Sequence, residues 1–263
     1  MTRKRTARVQ RILDELQVAN KVSVVYACES GSRAWGFASQ DSDYDVRFLY
    51  VHPRSWYLSV NLEQKRDVIE RITEDALDIS GWDLRKALRL FRKSNPPLLE
   101  WLGSPLIYRE HSSAAARMRG LAPKFYSPTA CAYHYLHMAQ GNFREYLKGP
   151  VVWRKKYFYV LRPLLAIRWI EADLGVVPTE FMKLVEATVA SAALERAIRN
   201  LIQEKEAGAE LDRGPRIEAI SRFIESELAR LEHTRFQKKP SIPPIAPLNR
   251  LFQEVVTEVF GSA

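Results

Sequence analysis

The sequence predicts an α+β protein: a small sheet-bearing first domain, residues 1–112, followed by an all-helical domain, residues 113–263. Three observations carry that expectation. Short apolar or alternating runs at Val22–Ala27, Asp43–Tyr50 and Val68–Thr73 have strand length and the two-residue period of strands. From residue 113 onward the apolar positions instead recur at helical spacing. Gly103-Ser104-Pro105 is a turn, and the apolar piece ending at Tyr108 closes the first pattern just before the second begins.

Taken in order, residues 8–17 place Val9, Ile12, Leu13 and Leu16 on one face, a helix that packs on the sheet. Val22–Ala27 is a buried strand. Gly31-Ser32 is a turn that opens a short helix. After Asp43 the chain alternates, with Tyr44, Val46, Phe48 and Tyr50 on one side and Asp43, Asp45 and Arg47 on the other. His52-Pro53 ends that strand, since proline cannot continue a ladder. Val68–Thr73 reads as a third strand and 76–80 as a short apolar piece with Asp78 inside it. Leu84, Ala87, Leu88 and Phe91 form a core stripe of a helix expected to start near Trp82 and to stop at Asn95-Pro96-Pro97, with Leu98–Leu102 restarting it.

The second half reads as five helices: 129–148, 152–174 with Pro163 inside it, 181–206, 216–233 and 248–260. A proline-rich connector spans 237–247.

Composition narrows the class. No apolar run is long enough to cross a membrane, and the basic start Met-Thr-Arg-Lys-Arg lacks a signal peptide's apolar core, so a cytoplasmic protein is expected. Cys28 and Cys131 read as buried thiols, with neither a disulfide nor a metal site indicated. The net charge is +9, and residues 113–263 hold 22 Lys+Arg against 16 Asp+Glu, so most of the excess lies in the second half. Such a balance favours a polyanionic partner, nucleotide or nucleic acid.

The chemistry concentrates around Gly31. Two carboxylates on one strand face repel each other and are relieved by a divalent cation; hard oxygen ligands suit Mg²⁺, with Mn²⁺ as the alternative. Gly31 lets backbone come close, Ser32 adds a hydroxyl and Arg33 adds charge, a seat for phosphates. Arg47 shares the face of Asp45, where it contacts phosphate or balances the acidic cluster.

Asp78 between Leu77 and Ile79 needs a reason, because an unpaired buried carboxylate is costly. It is either a third metal carboxylate, with Asp75 and Asp83 as competitors, or else Asp78 or Ser80 caps the following helix. In the second half, Lys155, Lys156 and Tyr159 interleave basic and aromatic side chains and are candidates for phosphate contact and base stacking, against a reading as one side of an amphipathic helix. His134 and His137 sit three apart, without a third ligand of suitable spacing.

Gly-Ser, a short helix, then Asp-x-Asp on the next strand resembles the signature of the DNA polymerase β-like nucleotidyltransferases. The strings Glu-Ser-Gly-Ser-Arg-Ala-Trp-Gly-Phe (29–37), Asp-Ser-Asp-Tyr-Asp-Val-Arg (41–47) and Gly-Trp-Asp-Leu-Arg-Lys-Ala-Leu (81–88), with Asn95-Pro96 and Glu100-Trp101-Leu102, are similar to the YcgL/RlaP-like branch of predicted nucleotidyltransferases. The resemblance covers about the first 110 residues well and the helical remainder more loosely.

It implies a small mixed-sheet nucleotidyltransferase catalytic domain, a third carboxylate from a later strand, and two Mg²⁺ ions held by Asp43, Asp45 and Asp78. Gly31, Ser32 and Arg33 would cradle an NTP. The implied reaction transfers a nucleoside monophosphate to a hydroxyl, with an RNA 3′ end as first choice of acceptor. A protein or small-molecule acceptor, a toxin–antitoxin role, and a non-catalytic nucleotide- or RNA-binding module remain alternatives.

Overall fold

The computed structural model describes residues 3–40, 42–73, 77–208, 211–236 and 243–261. They form two compact units, one of the described residues within 1–34, 43–126 and 242–263, the other of those within 35–42 and 127–241.

The first unit begins with α1 (Arg3–Asn20), then β1 (Ser23–Glu29), α2 (Gly31–Trp35), β2 (Tyr44–Val51), α3 (Arg54–Tyr57), β3 (Val68–Ile72) and β4 (Leu77–Asp83). It continues through α4 (Leu84–Arg92), α5 (Pro96–Leu102), β5 (Ile107–Glu110) and α6 (Ala114–Phe125). Among the described residues its sheet has five strands in the order β3-β4-β2-β1-β5, with β2 and β4 parallel and the other neighbours antiparallel. The class is α+β with a mixed sheet, as the sequence predicts.

Val9, Ile12, Leu13 and Leu16 of α1 are buried with Val46, Phe48 and Tyr50 of β2 and Leu77 and Ile79 of β4. That apolar face leaves the alternate residues Asp45 and Arg47 on the opposite side of β2. Phe48 stands across from Gly81 in the parallel pair, and its buried ring occupies the space a side chain there would need.

Helix starts follow local chemistry. Asp83 caps α4, its carboxylate accepting from the Arg85 N–H at 2.8 Å. The cap expected of Asp78 or Ser80 is therefore absent, because β4 runs on through Trp82 and the helix opens only at Leu84. Asn95 caps α5 by accepting from the Leu98 N–H at 3.1 Å, and Pro96-Pro97 open that helix, where a missing N–H costs nothing.

The second unit contains α7 (Pro128–Tyr146), β6 (Val151–Trp153), α8 (Tyr157–Glu171), α9 (Phe181–Thr188), α10 (Ala192–Glu206), β7 (Arg213–Pro215) and α11 (Glu218–Glu232). Tyr157, Phe158, Val160, Leu161, Leu164, Leu165 and Ile167 of α8 are all buried, as befits a central helix. Three features differ from the sequence expectation. The span 152–174 starts as a strand, because β6 pairs with β7 in a two-stranded ribbon, so this region is not purely helical. The span 181–206 is two helices, with the Ser191 hydroxyl accepting from the Leu194 N–H to cap the second. Phe37 stacks on Phe158 with ring centroids 4.3 Å apart, so residues of the early glycine-rich motif belong to this unit's core.

The chain ends in α12 (Ala246–Phe260), which lies in the first unit together with α6. Its Glu258 accepts from the N–H and hydroxyl of Ser113, and Glu254 pairs with Arg117 at 2.5 Å. The expected division after residue 112, with all later residues in one helical domain, is thus replaced by a first unit that includes α6 and α12. Residues 237–242 of the proline-rich connector lie outside the described residues. No described helix is long and apolar enough to cross a membrane.

Candidate active site

β2 and β4 run parallel and in register so that Asp45 stands beside Asp78. Arg47, two residues along β2, folds back over both. Its Nη2 donates to Asp45 Oδ1 at 3.0 Å and to Asp78 Oδ2 at 2.7 Å, while Nη1 donates to the carbonyls of Val46 at 3.1 Å and Asp78 at 3.0 Å. Three of the residues predicted from sequence therefore meet. Asp43 is exposed just before β2 begins, and its charge acts on Asp45. Asp45 is pushed above the ordinary carboxylate range, first by burial and then by Asp78 and Asp43, with Arg47 opposing.

The glycine-rich turn closes on the same carboxylate. Gly31 has φ +58°, and a Cβ built there would overlap Asp45 Oδ2 and lie 3.1 Å from its Cγ. Glycine is needed both for the left-handed backbone and for the close approach. The Ser30 N–H donates to the Asp45 carbonyl at 2.8 Å, fixing the turn to β2. Arg33 lies over the Tyr44 ring, 3.7 Å from its centroid, and donates through Nε to the Asp43 carbonyl at 3.1 Å. Ser32 is partly exposed in the turn.

Sequence reasoning passed over Glu29. It ends β1 fully buried, and its carboxylate accepts from the Asp45 N–H at 2.8 Å and from the Tyr108 hydroxyl. Burial raises its pKa, and the two hydrogen bonds oppose that rise. The signal was present: a carboxylate closing a strand whose preceding five residues are all buried calls for a partner.

Of the competitors for the third carboxylate, Asp83 is buried at the far end of β4, where it caps α4 and accepts from the Tyr57 hydroxyl at 2.6 Å. Asp75 lies outside the described residues, as does Asp41. In the second unit, the Lys156 ammonium sits over Tyr146 and Tyr159, 4.3 and 4.8 Å from their centroids, and Lys155 is exposed. Tyr159 is half-buried edge-on to Trp35.

Could these carboxylates take a divalent cation? Asp45 and Asp78 bring two hard-oxygen donors together under one guanidinium, a donor type that suits Mg²⁺ or Mn²⁺ when a phosphate-bearing substrate completes the shell. Among the described residues no group of three or more His, Cys, Asp or Glu is placed to hold a metal ion. A cation at the pair would complete its shell with water and phosphate oxygens.

Residues 6–254 match the RNA repair pathway DNA polymerase beta family, RlaP. The chain belongs to that family. It is thereby a member of the DNA polymerase β-like nucleotidyltransferase superfamily, as its Gly-Ser and Asp-x-Asp motifs indicate. The uncharacterised protein YcgL of Bacillus subtilis (strain 168) is 49% identical over 255 residues, covering 95% of this chain and 97% of that protein. A crystal structure of a nucleotidyltransferase-like protein from Exiguobacterium sibiricum 255-15 is similar over 86% of this chain and 75% of that one. Its identity is 12% and its TM-score 0.33, too slight a likeness to carry argument.

Proposed function

We propose that this RlaP-family chain is a Mg²⁺-dependent nucleotidyltransferase that moves a nucleoside monophosphate from an NTP to the 3′ hydroxyl of an RNA. The observation that carries the reading is the register of Asp45 against Asp78, with the Gly31 turn packed directly on Asp45. Family membership supports the reaction type, and the family's description supports RNA as acceptor.

In this reading the acceptor oxygen attacks the α-phosphorus of the NTP, the bond from that phosphorus to the bridging oxygen breaks, and pyrophosphate leaves. Asp78, the more exposed of the pair at 44% against 30%, faces the acceptor and receives its hydroxyl proton. Gly31 and Ser32 hold the β- and γ-phosphates, and Arg33 adds positive charge beside them. Asp43, Asp45 and Asp78 would hold Mg²⁺, which when bound stabilises charge on the triphosphate as a Lewis acid.

The test incubates the purified chain with Mg²⁺ and each α-labelled NTP, offering bulk RNA, tRNA and the chain itself as acceptors. Label moving to RNA and lost in Asp43→Asn supports the proposal and names the nucleotide. Label on protein replaces RNA by a protein acceptor. NTP binding without transfer to any of them favours a binding module.

A further inference from the structure

Arg47 read from sequence alone is a phosphate contact or a loose counter-charge. Its four hydrogen bonds in the folded chain argue otherwise. The side chain is 17% exposed, both terminal nitrogens are engaged, and every acceptor belongs to Val46 or to the carboxylate pair and its strand. The two carboxylates are bonded asymmetrically: Arg47 takes Oδ1 of Asp45 and Oδ2 of Asp78, one oxygen from each.

We propose that Arg47 is the positioning residue of the carboxylate pair, bracing one oxygen of Asp45, whose other oxygen lies against the Gly31 turn, and one of Asp78, and so setting the orientation in which the pair meets a divalent cation. This rests on the metal-dependent reading above. Carboxylates that ligate metals work best when their second oxygen is itself hydrogen-bonded, and removing such a partner typically weakens metal binding by about 10–100-fold. A planar fork matters here, because a single guanidinium reaches two carboxylates and two carbonyls at once. An ammonium is a point charge without that fixed geometry.

In a simpler alternative, the guanidinium competes with the metal for the same negative charge. The two alternatives predict opposite signs. If Arg47 positions the pair, its loss weakens cation binding; if it competes, its loss tightens it.

The experiment measures Mn²⁺ affinity of the full chain without nucleotide, by the electron paramagnetic resonance of free Mn²⁺ or by calorimetry. It compares wild type, Asp45→Asn, Arg47→Ala and Arg47→Lys. Arg47→Gln, which keeps the stem, replaces the alanine variant if that does not fold. The expected results are wild-type binding lost in Asp45→Asn, and binding weakened about 10–100-fold in both Arg47→Ala and Arg47→Lys. Tighter binding in Arg47→Ala overturns the proposal in favour of competition, and wild-type affinity in Arg47→Lys overturns it in favour of charge alone. Wild-type affinity in Arg47→Ala overturns the positioning role and leaves the metal reading standing. Absence of Mn²⁺ binding in wild type overturns both.

Discussion

Replacing Gly31 by alanine should damage catalysis far more than folding. Two costs are separable in the structure. The first is conformational: at φ +58° an alanine is in the left-handed region, which costs roughly 1–2 kcal/mol for a residue with a Cβ. The second is local. The new Cβ overlaps Asp45 Oδ2, and that carboxylate cannot simply rotate away, because its Oδ1 is held by Arg47 at 3.0 Å and its backbone by Glu29 and Ser30. Making room moves the carboxylate by about 1 Å or breaks the Arg47 pair, and a misplacement of that size costs on the order of 100-fold in rate. Urea unfolding should therefore show a loss of at least the roughly 1–2 kcal/mol of the backbone cost, while transfer of labelled nucleotide falls about 100-fold in kcat. Gly36→Ala is the control, since Gly36 also has a positive φ, +94°, but a Cβ there meets nothing within 4 Å. It should lose stability without that loss of rate. A Gly31→Ala protein with near-wild-type kcat would refute the claim that the turn and Asp45 work in contact.

Asp83→Asn should stabilise the protein at pH 8. Burial lifts the Asp83 carboxyl from 3.8 to about 6, so its favourable contribution is complete below pH 3.8 and is lost as pH rises through about 6, a difference on the order of 3 kcal/mol. Asparagine removes the charge and keeps one acceptor, for the Arg85 N–H; toward the Tyr57 hydroxyl its amide turns from acceptor to donor, a lost hydrogen bond of about 0.5–1.5 kcal/mol that is smaller than the gain. His52, stacked on Trp56 and lowered to about 4 by burial and Lys65, has the opposite sign, its contribution being present above 6.5 and lost as pH falls through about 4. Urea melts at pH 4.5, 6 and 8 should show the variant's advantage shrinking with acid and its own stability falling below pH 6.5; a variant less stable than wild type at pH 8 contradicts this. Gly81→Ala should cost about 1–3 kcal/mol or more by forcing the buried Phe48 ring aside, and a double-mutant cycle with Phe48→Leu should recover part of it. Glu29→Ala, which strips partners from the Tyr108 hydroxyl and the Asp45 N–H, should lower kcat with little change in the KM for NTP, whereas Glu29→Gln retains an acceptor for Asp45 and should restore activity.

Why the sequence shows some of this site and hides the rest follows from the range of each interaction. Asp45 and Arg47 could be placed together because a strand's two-residue period is local, and Phe48 and Tyr50 on the other face confirm the phase. Gly31 is visible as a turn, but the reason it must be glycine is a contact with a residue fourteen positions on, which no local pattern records. Asp78 needed the register of two strands that neighbour each other in the sheet but have a third between them in the chain, and the resemblance to the superfamily supplied what spacing could not. Glu29 is half-legible: a carboxylate closing an apolar strand signals that it needs a partner, but not which one. Its role lies in a hydrogen bond to the backbone of Asp45, and backbone groups leave no letter in the sequence. The same limit explains α12: Leu248, Leu251, Val255 and Val256 announce an amphipathic helix, but the choice of α6 as neighbour depends on Ser113 and Arg117 meeting Glu258 and Glu254, more than 130 residues away. What holds Asp45 is thus a set of medium- and long-range contacts, from Glu29, Ser30, Gly31, Arg47 and, through Arg47, Asp78. Removing any one leaves the others in place, so single substitutions around Asp45 should lower rate by graded amounts, and pairs that share the carboxylate, such as Gly31→Ala with Arg47→Lys, should be less than additive.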